Sequence, residues 1–364
     1  METGARNMSD SEESATAEPE PEREDSMSES VDASPSETLE DSLPASLLAD
    51  ASAEEVAKIE ALDVASTDGL LGLLRFALPS VAAIGSIGAL EFFRQRFQRS
   101  HMFEPTRYPV GDWQPEKSGL DVADVYFDSE DGTRLHGWWI EASRRFEAEP
   151  MTVVYCHGNK GSIAERVDIF RHLRRLDVDI FAFDYRGFGR SAGSPSEEGV
   201  YSDVRAAVDY VHGQLEVPME RLILFGHSLG GAIAIDGALH RPEVAGLVVQ
   251  SSFTQNVDMA RHFYPDLPVH WITTNGFRSI DKVGQLPMPK LFIHGGNDKK
   301  IPFTQGEELF AAAAEPKSWL PIARADHSDV HQWGGLRYFS RLVRFRREAR
   351  RYGLERLAAA NAEA

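Results

Sequence analysis

From about residue 120 onward, short hydrophobic runs alternate with amphipathic stretches. Segments such as TVVYC and VDIFAFD are rich in apolar residues, a pattern typical of buried strands. Between them lie helical repeats, for example Ile163, Val167, Phe170 and Leu173 at steps of three and four residues. Alternation at this spacing predicts crossover connections, and therefore a mostly parallel sheet flanked by helices on both faces.

Two departures from the alternation refine this architecture. DVADVYF and RLHGWWI are separated by DSEDGT, whose Asp-Gly pair favours a turn, so we expect an antiparallel hairpin at the N-terminal edge of the sheet. Residues 251–287, between two later strands, are irregular with short helical pieces. A segment of this length leaves room for only a small cap over the sheet.

The first 68 residues have a different composition from the rest. They contain 20 acidic and three basic residues and no aromatic ones, so they carry most of the net charge of −19. Such a segment buries too little apolar surface to offset its chain entropy, and we expect a disordered acidic tail. The nearly neutral remainder gives no electrostatic reason to bind nucleic acid.

Residues 69–93 form an apolar segment in which Leu70–Leu90 contain a single charge, Arg75. About 20 apolar residues cross a bilayer, so we expect a membrane anchor of marginal length. Three arginines follow in FFRQRFQRS, and the positive-inside rule then puts the downstream domain in the cytoplasm. The alternative is a buried or interfacial helix of a cytoplasmic protein.

The same patterns set the expected boundaries of the remaining parts. We expect a linker over residues 94–119, an α/β domain over 120–352 and a short C-terminal tail over 353–364. The single cysteine, Cys156, excludes an internal disulfide and lies on a predicted buried strand.

The stretch LFGHSLGGAIAI contains a G-x-S-x-G motif, with Gly226 and Gly230 on either side of Ser228. An apolar strand precedes the motif and a helix of small residues follows it, which is the context that a nucleophile elbow requires. Side chains two residues before and after so sharp a turn would collide with its surroundings, so glycine is expected at both places. The pattern predicts an exposed serine nucleophile.

A nucleophilic serine needs a base and an orienting acid, each expected just after a late strand. Asp298 in HGGNDKKIP and His327 in DHSDVHQW meet this requirement. His331 is the alternative base. Asp326 and Asp329 are expected to be solvated loop charges, and the remaining histidines near the motifs to have packing or hydrogen-bonding roles, namely His227 and His294.

The reaction also needs donors for a developing oxyanion. We expect the backbone N–H of Leu229, which follows the serine, and that of Asn159, in the glycine-containing loop after TVVYC. Lys160 in the same loop either steers an acidic substrate or is simply solvent-exposed. The histidines lack metal-ligand spacing, so neither a metal nor another cofactor is expected.

Aromatic residues in FYPDLPVHWITTNGF, within the expected cap, are candidates for an acyl-binding pocket. They are Phe263, Tyr264 and Trp271, with Phe277 as a further member. Packing of the cap itself is an equally good explanation for these side chains.

Together, YCHGNKGSIAERVDIF, FDYRGFGRSAG, GHSLGGAIAI, HGGNDKKIP and DHSDVHQWGG resemble the α/β-hydrolase-domain serine hydrolases, in particular a membrane-anchored branch that includes protein depalmitoylases. The resemblance covers about 103–350. It implies an α/β-hydrolase fold with a minimal cap, a catalytic triad of Ser228, Asp298 and His327, and an oxyanion hole of Asn159 and Leu229.

The chain departs from the family pattern in two places. Family members usually have glycine before the histidine, whereas this chain has Asp326, an extra negative charge beside His327. The family's depalmitoylases carry an N-terminal cysteine cluster that is missing here, so the resemblance does not imply depalmitoylation.

These features predict a serine hydrolase that cleaves acyl esters or thioesters of a small or lipid-like substrate through an acyl-serine intermediate, without a cofactor. One alternative is a catalytically silent scaffold that presents the acidic tail. The other is a serine peptidase, which is disfavoured because no large lid or propeller domain is present to recognise a peptide.

Overall fold

The computed structural model describes residues 102–143, 149–269 and 273–363. The predicted acidic tail and the predicted apolar anchor lie outside these ranges. Within them, no helix combines the length and the apolar character that crossing a membrane requires.

An eight-stranded sheet forms the centre of the domain, with strand order β10-β9-β8-β7-β4-β6-β3-β2. Its strands are β2 (Ala123–Asp128), β3 (Arg134–Ile140), β4 (Met151–Cys156), β6 (Val178–Asp184), β7 (Leu222–His227), β8 (Gly246–Gln250), β9 (Lys290–Gly295) and β10 (Lys317–Ile322). A separate short parallel pair consists of β1 (Glu104–Pro105) and β5 (Lys160–Gly161).

Seven α-helices and several short 3-10 turns connect the strands in the described part of the chain. The helices are α1 (Val167–Leu173), α2 (Glu197–Gly213), α3 (Leu229–His240), α4 (Asn256–Phe263), α5 (Ser279–Lys282), α6 (Phe303–Ala312) and α7 (Val330–Glu363). The last of these is kinked at Gly335, whose φ is 46°. The predicted small cap corresponds to the stretch that contains α4 and α5.

The sheet is parallel except at the edge where the hairpin was expected. β3 runs antiparallel to both β2 and β6, and the other neighbouring strands are parallel. Every residue of β4, β6, β8 and β9 is buried. Helices on both faces exclude water from these strands, which explains why most of their residues are apolar.

Successive side chains of each strand point to opposite faces and feed two hydrophobic cores. In β4, Val154 and Cys156 belong to the core beneath α2 and α3, whereas Val153 and Tyr155 belong to the core beneath α1 and α7. The two-residue period of the strands therefore divides the apolar side chains between the two layers of helices.

The domain begins before residue 120, which corrects the expected linker. Phe103 is buried, with its ring packed edge-on against Phe188 and Phe277. The backbone of Glu104 and Pro105 pairs with β5. These contacts are long-range, and the sequence FEPTRYPV has no periodicity that would have indicated them.

The last helix continues to Glu363, which corrects the expected tail from residue 353. Arg356 donates a hydrogen bond to the carbonyl oxygen of Pro242, and the backbone of Gly353 packs against the turn at Glu220. Leu354 and Leu357 of this segment are exposed, so its docking depends on the close backbone approach at Gly353 rather than on an apolar stripe.

Two glycine substitutions test this docking. At Gly353 an added Cβ would lie 2.1 Å from the carbonyl oxygen of Glu220, so Gly353→Ala is expected to lower the free energy of unfolding by about 1–3 kcal/mol. At Gly213, the last residue of α2, nothing lies within 4 Å of an added Cβ. Gly213→Ala is therefore expected to raise stability by up to ~1 kcal/mol. Urea unfolding measures the free energy of unfolding of both variants. Equal changes in the two variants would contradict the docking of the last helix.

Candidate active site

Ser228 lies at the turn between β7 and α3, in a strained backbone conformation. Its φ and ψ are 58° and −123°, a region that residues other than glycine rarely occupy. A Cβ added at Gly226 would lie 2.2 Å from the carbonyl oxygen of Gly230, and one at Gly230 would lie 2.0 Å from that of Cys156. Both glycines are therefore required for the backbone to turn so sharply beside β4.

The structure brings the three predicted side chains of the triad together. His327 Nε2 lies 2.9 Å from Ser228 Oγ, and His327 Nδ1 lies 2.8 Å from Asp298 Oδ2. Asp298 follows β9 and His327 follows β10, and the carboxyl ends of these parallel strands share one edge of the sheet with the end of β7. The parallel topology accounts for the convergence of residues that are far apart in sequence.

Asp298 is held as a carboxylate by its hydrogen bonds. Burial raises the pKa of its carboxyl group, but the hydrogen bond and charge of His327, the N–H of Ile301 and His294 together lower it more, so the net direction is downward. Its Oδ1 accepts the backbone N–H groups of Lys300 and Ile301, at 2.9 and 2.8 Å. A carboxylate only accepts, so His327 carries a proton on Nδ1 and turns the lone pair of Nε2 toward the serine hydroxyl.

Two neutral histidines support the loops that carry the acid and the base. Burial, followed by the charge of His327, lowers the pKa of His227 to about 3. His227 Nε2 donates to the carbonyl oxygen of His327 at 3.1 Å. His294 Nε2 donates to the carbonyl oxygen of Ile301 at 3.1 Å, and burial lowers its pKa as well. Both have the hydrogen-bonding role that the sequence indicated.

His331, the alternative base, is paired elsewhere. Its Nε2 lies 3.1 Å from Asp168 Oδ2, on α1. The described hydrogen bonds therefore connect His327, and not His331, to the serine.

Asp326 and Asp329 are not simply solvated loop charges, which corrects the expectation for both. Asp326 Oδ1 accepts the N–H groups of Lys299 and His327, at 3.0 and 2.7 Å. Asp329 Oδ1 in turn accepts the N–H of Asp326 at 2.7 Å. The hydrogen bonds to Lys299 and His327 lower the pKa of Asp326, so it remains ionised. Asp326 joins the loop of the acid to the loop of the base.

The loop after β4 approaches the serine closely. The hydroxyl of Tyr185 donates to the carbonyl oxygen of His157 at 2.8 Å, which ties the start of this loop to the end of β6. At Gly158 an added Cβ would lie 3.3 Å from Cβ of Ser228. The backbone that follows is therefore beside the nucleophile.

Asn159 and Leu229 line the same cavity as Ser228. Neither backbone N–H is used in a hydrogen bond to another described residue. Both residues predicted as oxyanion donors thus lie at the cavity of the serine. The exposed Lys160 instead forms an ion pair with Glu104, with 3.5 Å between Nζ and Oε2.

The cavity beside the serine has a volume of about 350 Å³. Phe263 and Tyr264 line it, as predicted from sequence, whereas Trp271 lies outside the described residues. Phe277 is fully buried and packs against Phe103 and Tyr201, so it belongs to the support of the wall rather than to its surface. Sequence reasoning missed most of the other lining residues, among them Met102, Phe253, Asn256 and Met259.

The described side chains bear on two other kinds of chemistry, metal binding and attack by a thiol. They contain no group of three side chains able to hold a metal ion. Cys156 is buried at the end of β4, and burial raises the pKa of its thiol, so it is a poor nucleophile.

Comparison with known proteins places the chain among established relatives. A family model described as serine aminopeptidase, S33, matches residues 148–281. An uncharacterized Mycobacterium tuberculosis protein is 34% identical over 273 residues, which cover 74% of this chain and 94% of that protein. The α/β hydrolase domain-containing protein WAV2 of Arabidopsis thaliana is 29% identical over 65% of this chain and 82% of its own length.

Solved structures share the same fold. The Pyrococcus furiosus esterase Pf2001 aligns with a TM-score of 0.56 at 22% identity, covering 68% of this chain and 99% of that one. An α/β hydrolase from Vibrio vulnificus aligns with a TM-score of 0.53 at 22% identity, covering 63% and 82%. With the parallel sheet and its flanking helices, these likenesses show that the chain has the α/β-hydrolase fold. Together with this fold, the family model and the 34% identical relative show that the chain belongs to the α/β-hydrolase superfamily.

Proposed function

We propose that the protein is a serine hydrolase that cleaves acyl esters or thioesters. The observation that carries this proposal is the chain of hydrogen bonds from Asp298 through His327 to Ser228, together with the position of Ser228 in the lining of a cavity. A strained elbow and a buried carboxylate–imidazole pair are unfavourable for stability alone, and a catalytic role accounts for both.

In the proposed reaction, Ser228 Oγ attacks the acyl carbon while His327 Nε2 takes the hydroxyl proton. Asp298 stabilises the resulting imidazolium. The N–H groups of Asn159 and Leu229 donate to the oxyanion of the tetrahedral intermediate. His327 then returns the proton to the departing alcohol or thiol, which leaves an acyl-serine, and water hydrolyses this ester by the same steps.

The cavity supports an acyl group of modest size. Phe253, Met259 and Phe263 give it an apolar wall, and its volume is at the lower end of the ~300–1,000 Å³ typical of small-molecule sites. The proposed chemistry needs only the side chains and N–H groups already named, so it requires no cofactor.

An aminopeptidase is a second candidate, because the matching family model carries that description. Such an enzyme must bind the free α-ammonium of its substrate, which requires an available carboxylate near the serine. Among the described lining residues, Glu104 supplies the only carboxylate, and this exposed side chain lies 3.5 Å from the ammonium of Lys160, which competes for it. The ester hydrolase is therefore the better-supported function.

Active-site labelling separates an enzyme from a silent scaffold. A fluorophosphonate probe is expected to form one covalent adduct with the wild-type protein, because His327 activates the serine. Ser228→Ala should abolish the adduct, and Ser340→Ala, at an exposed serine on α7, should retain it. Mass spectrometry measures the adduct, and an unlabelled wild-type protein would favour the scaffold.

Matched esters and amides separate the two enzyme classes. We expect hydrolysis of acyl p-nitrophenyl esters and the corresponding thioesters, with Asp298→Asn lowering kcat by about 10⁴-fold because the imidazole loses its tautomer and counter-charge. Aminoacyl p-nitroanilides are expected to react far more slowly. Faster cleavage of these amides than of the esters would establish the peptidase instead.

The hydrogen bonds of Asp326 give a third expectation. Asp326→Ala removes the shared acceptor of Lys299 and His327, and should lower kcat by roughly 10- to 100-fold while leaving KM nearly unchanged, because small displacements of catalytic groups are costly. Asp326→Asn keeps an acceptor oxygen and should recover most of the rate. Steady-state kinetics measure both, with exposed Asp121→Ala as control. Equal losses in the two Asp326 variants would show that its charge matters rather than its hydrogen bonds.

A further inference from the structure

The cavity contains one buried amide in a largely apolar wall. Asn256, the first residue of α4, is only 3% exposed and lines the same cavity as Ser228. Its neighbours in the wall include Phe253 and Met259. A buried polar side chain among apolar ones calls for an account of its hydrogen bonds.

The surrounding hydrogen bonds fix the orientation of this amide. Thr273 Oγ1 donates its proton to the carbonyl oxygen of Thr274, at 3.2 Å, and so it accepts from its other neighbour. That neighbour, 2.9 Å away, is therefore the nitrogen of the Asn256 side chain, Nδ2. The backbone N–H of Asn256 donates to the carbonyl oxygen of Gly276, at 2.9 Å, which holds the start of the helix in place.

This arrangement leaves hydrogen-bonding capacity directed to the cavity. No described residue donates to Asn256 Oδ1, and Nδ2 has a second proton beyond the one that Thr273 accepts. Once an acyl chain displaces water from the cavity, this amide keeps its hydrogen bonds only if the chain offers a group that both donates and accepts. A hydroxyl group or a carboxamide has this chemistry, and an aliphatic chain does not.

We propose that Asn256 is a specificity-determining residue that binds a neutral polar group, a hydroxyl or a carboxamide, on the acyl chain of the substrate. This inference rests on the proposed ester hydrolysis at Ser228. The substrates are then acyl esters or thioesters with a polar group on the chain, rather than plain fatty acyl ones. The apolar wall accommodates the methylene groups, and Asn256 selects among chains by the presence and position of the polar group.

Pairs of isosteric esters test the proposal on the full-length protein. Each pair consists of two p-nitrophenyl esters of equal chain length, one ending in a carboxamide and the other in an isopropyl group of nearly the same shape. At one or more chain lengths, we expect the wild-type kcat/KM to be about tenfold or more higher for the carboxamide, which corresponds to ~1.4 kcal/mol. Asn256→Leu, which keeps the side-chain size, should reverse the preference.

A neighbouring amide serves as the matched control. Gln255 donates from Nε2 to Asp258 at 2.9 Å and is not among the residues that line the cavity. Gln255→Leu should therefore keep the preference for the carboxamide. Thermal unfolding checks that each variant is folded. If Asn256→Leu fails to fold, the preference of the wild-type protein between the two esters still tests the proposal.

The possible outcomes separate this inference from the proposed function. Hydrolysis of both esters without a preference at any chain length would overturn the role of Asn256 and leave the esterase standing. An unchanged preference in Asn256→Leu would also overturn it. Hydrolysis of neither ester would overturn the esterase, and the polar subsite with it.

Discussion

The close approach of two backbones beneath Ser228 is the constraint on which the site depends. The turn between β7 and α3 passes so near the end of β4 that a methyl group at Gly230 would overlap the carbonyl oxygen of Cys156. This contact accompanies the unusual backbone angles of the serine, whose hydroxyl oxygen lies 2.9 Å from His327 Nε2. Leu229, which follows the serine, and Asn159, in the loop that follows β4, line the same cavity.

The imidazole is positioned as much by backbone contacts as by its two triad partners. His227, kept neutral by burial, donates to the carbonyl oxygen of His327, and the carboxylate of Asp326 accepts its N–H. The same carboxylate accepts the N–H of Lys299, one residue beyond Asp298. Movement of one loop would therefore break contacts of the other, so the acid and the base are held as a unit.

The structure differs from the sequence-based expectation at both ends of the domain, and the two differences have a common physical cause. Phe103 reaches the core, and Gly353 reaches the turn at Glu220, through contacts with segments distant in the chain. Local periodicity contains no information about such contacts, so a linker and a tail were expected instead. Asp326 was misjudged for a similar reason, because an acidic residue in a loop has the same sequence pattern whether it is solvated or caps a neighbouring backbone.

The sequence alone determined the order of strands and helices, the sharp turn at Ser228 and the identity of Asp298 and His327 as its partners. Each of these follows from local patterns, namely apolar periodicity and glycine spacing, or from the position of a residue just after a strand. Only the tertiary structure decided which side chains form the cavity wall, including Phe253 and Asn256, since the wall is built from segments that meet only after the sheet has formed. The hydrogen bonds that orient the amide of Asn256 likewise exist only in the folded chain.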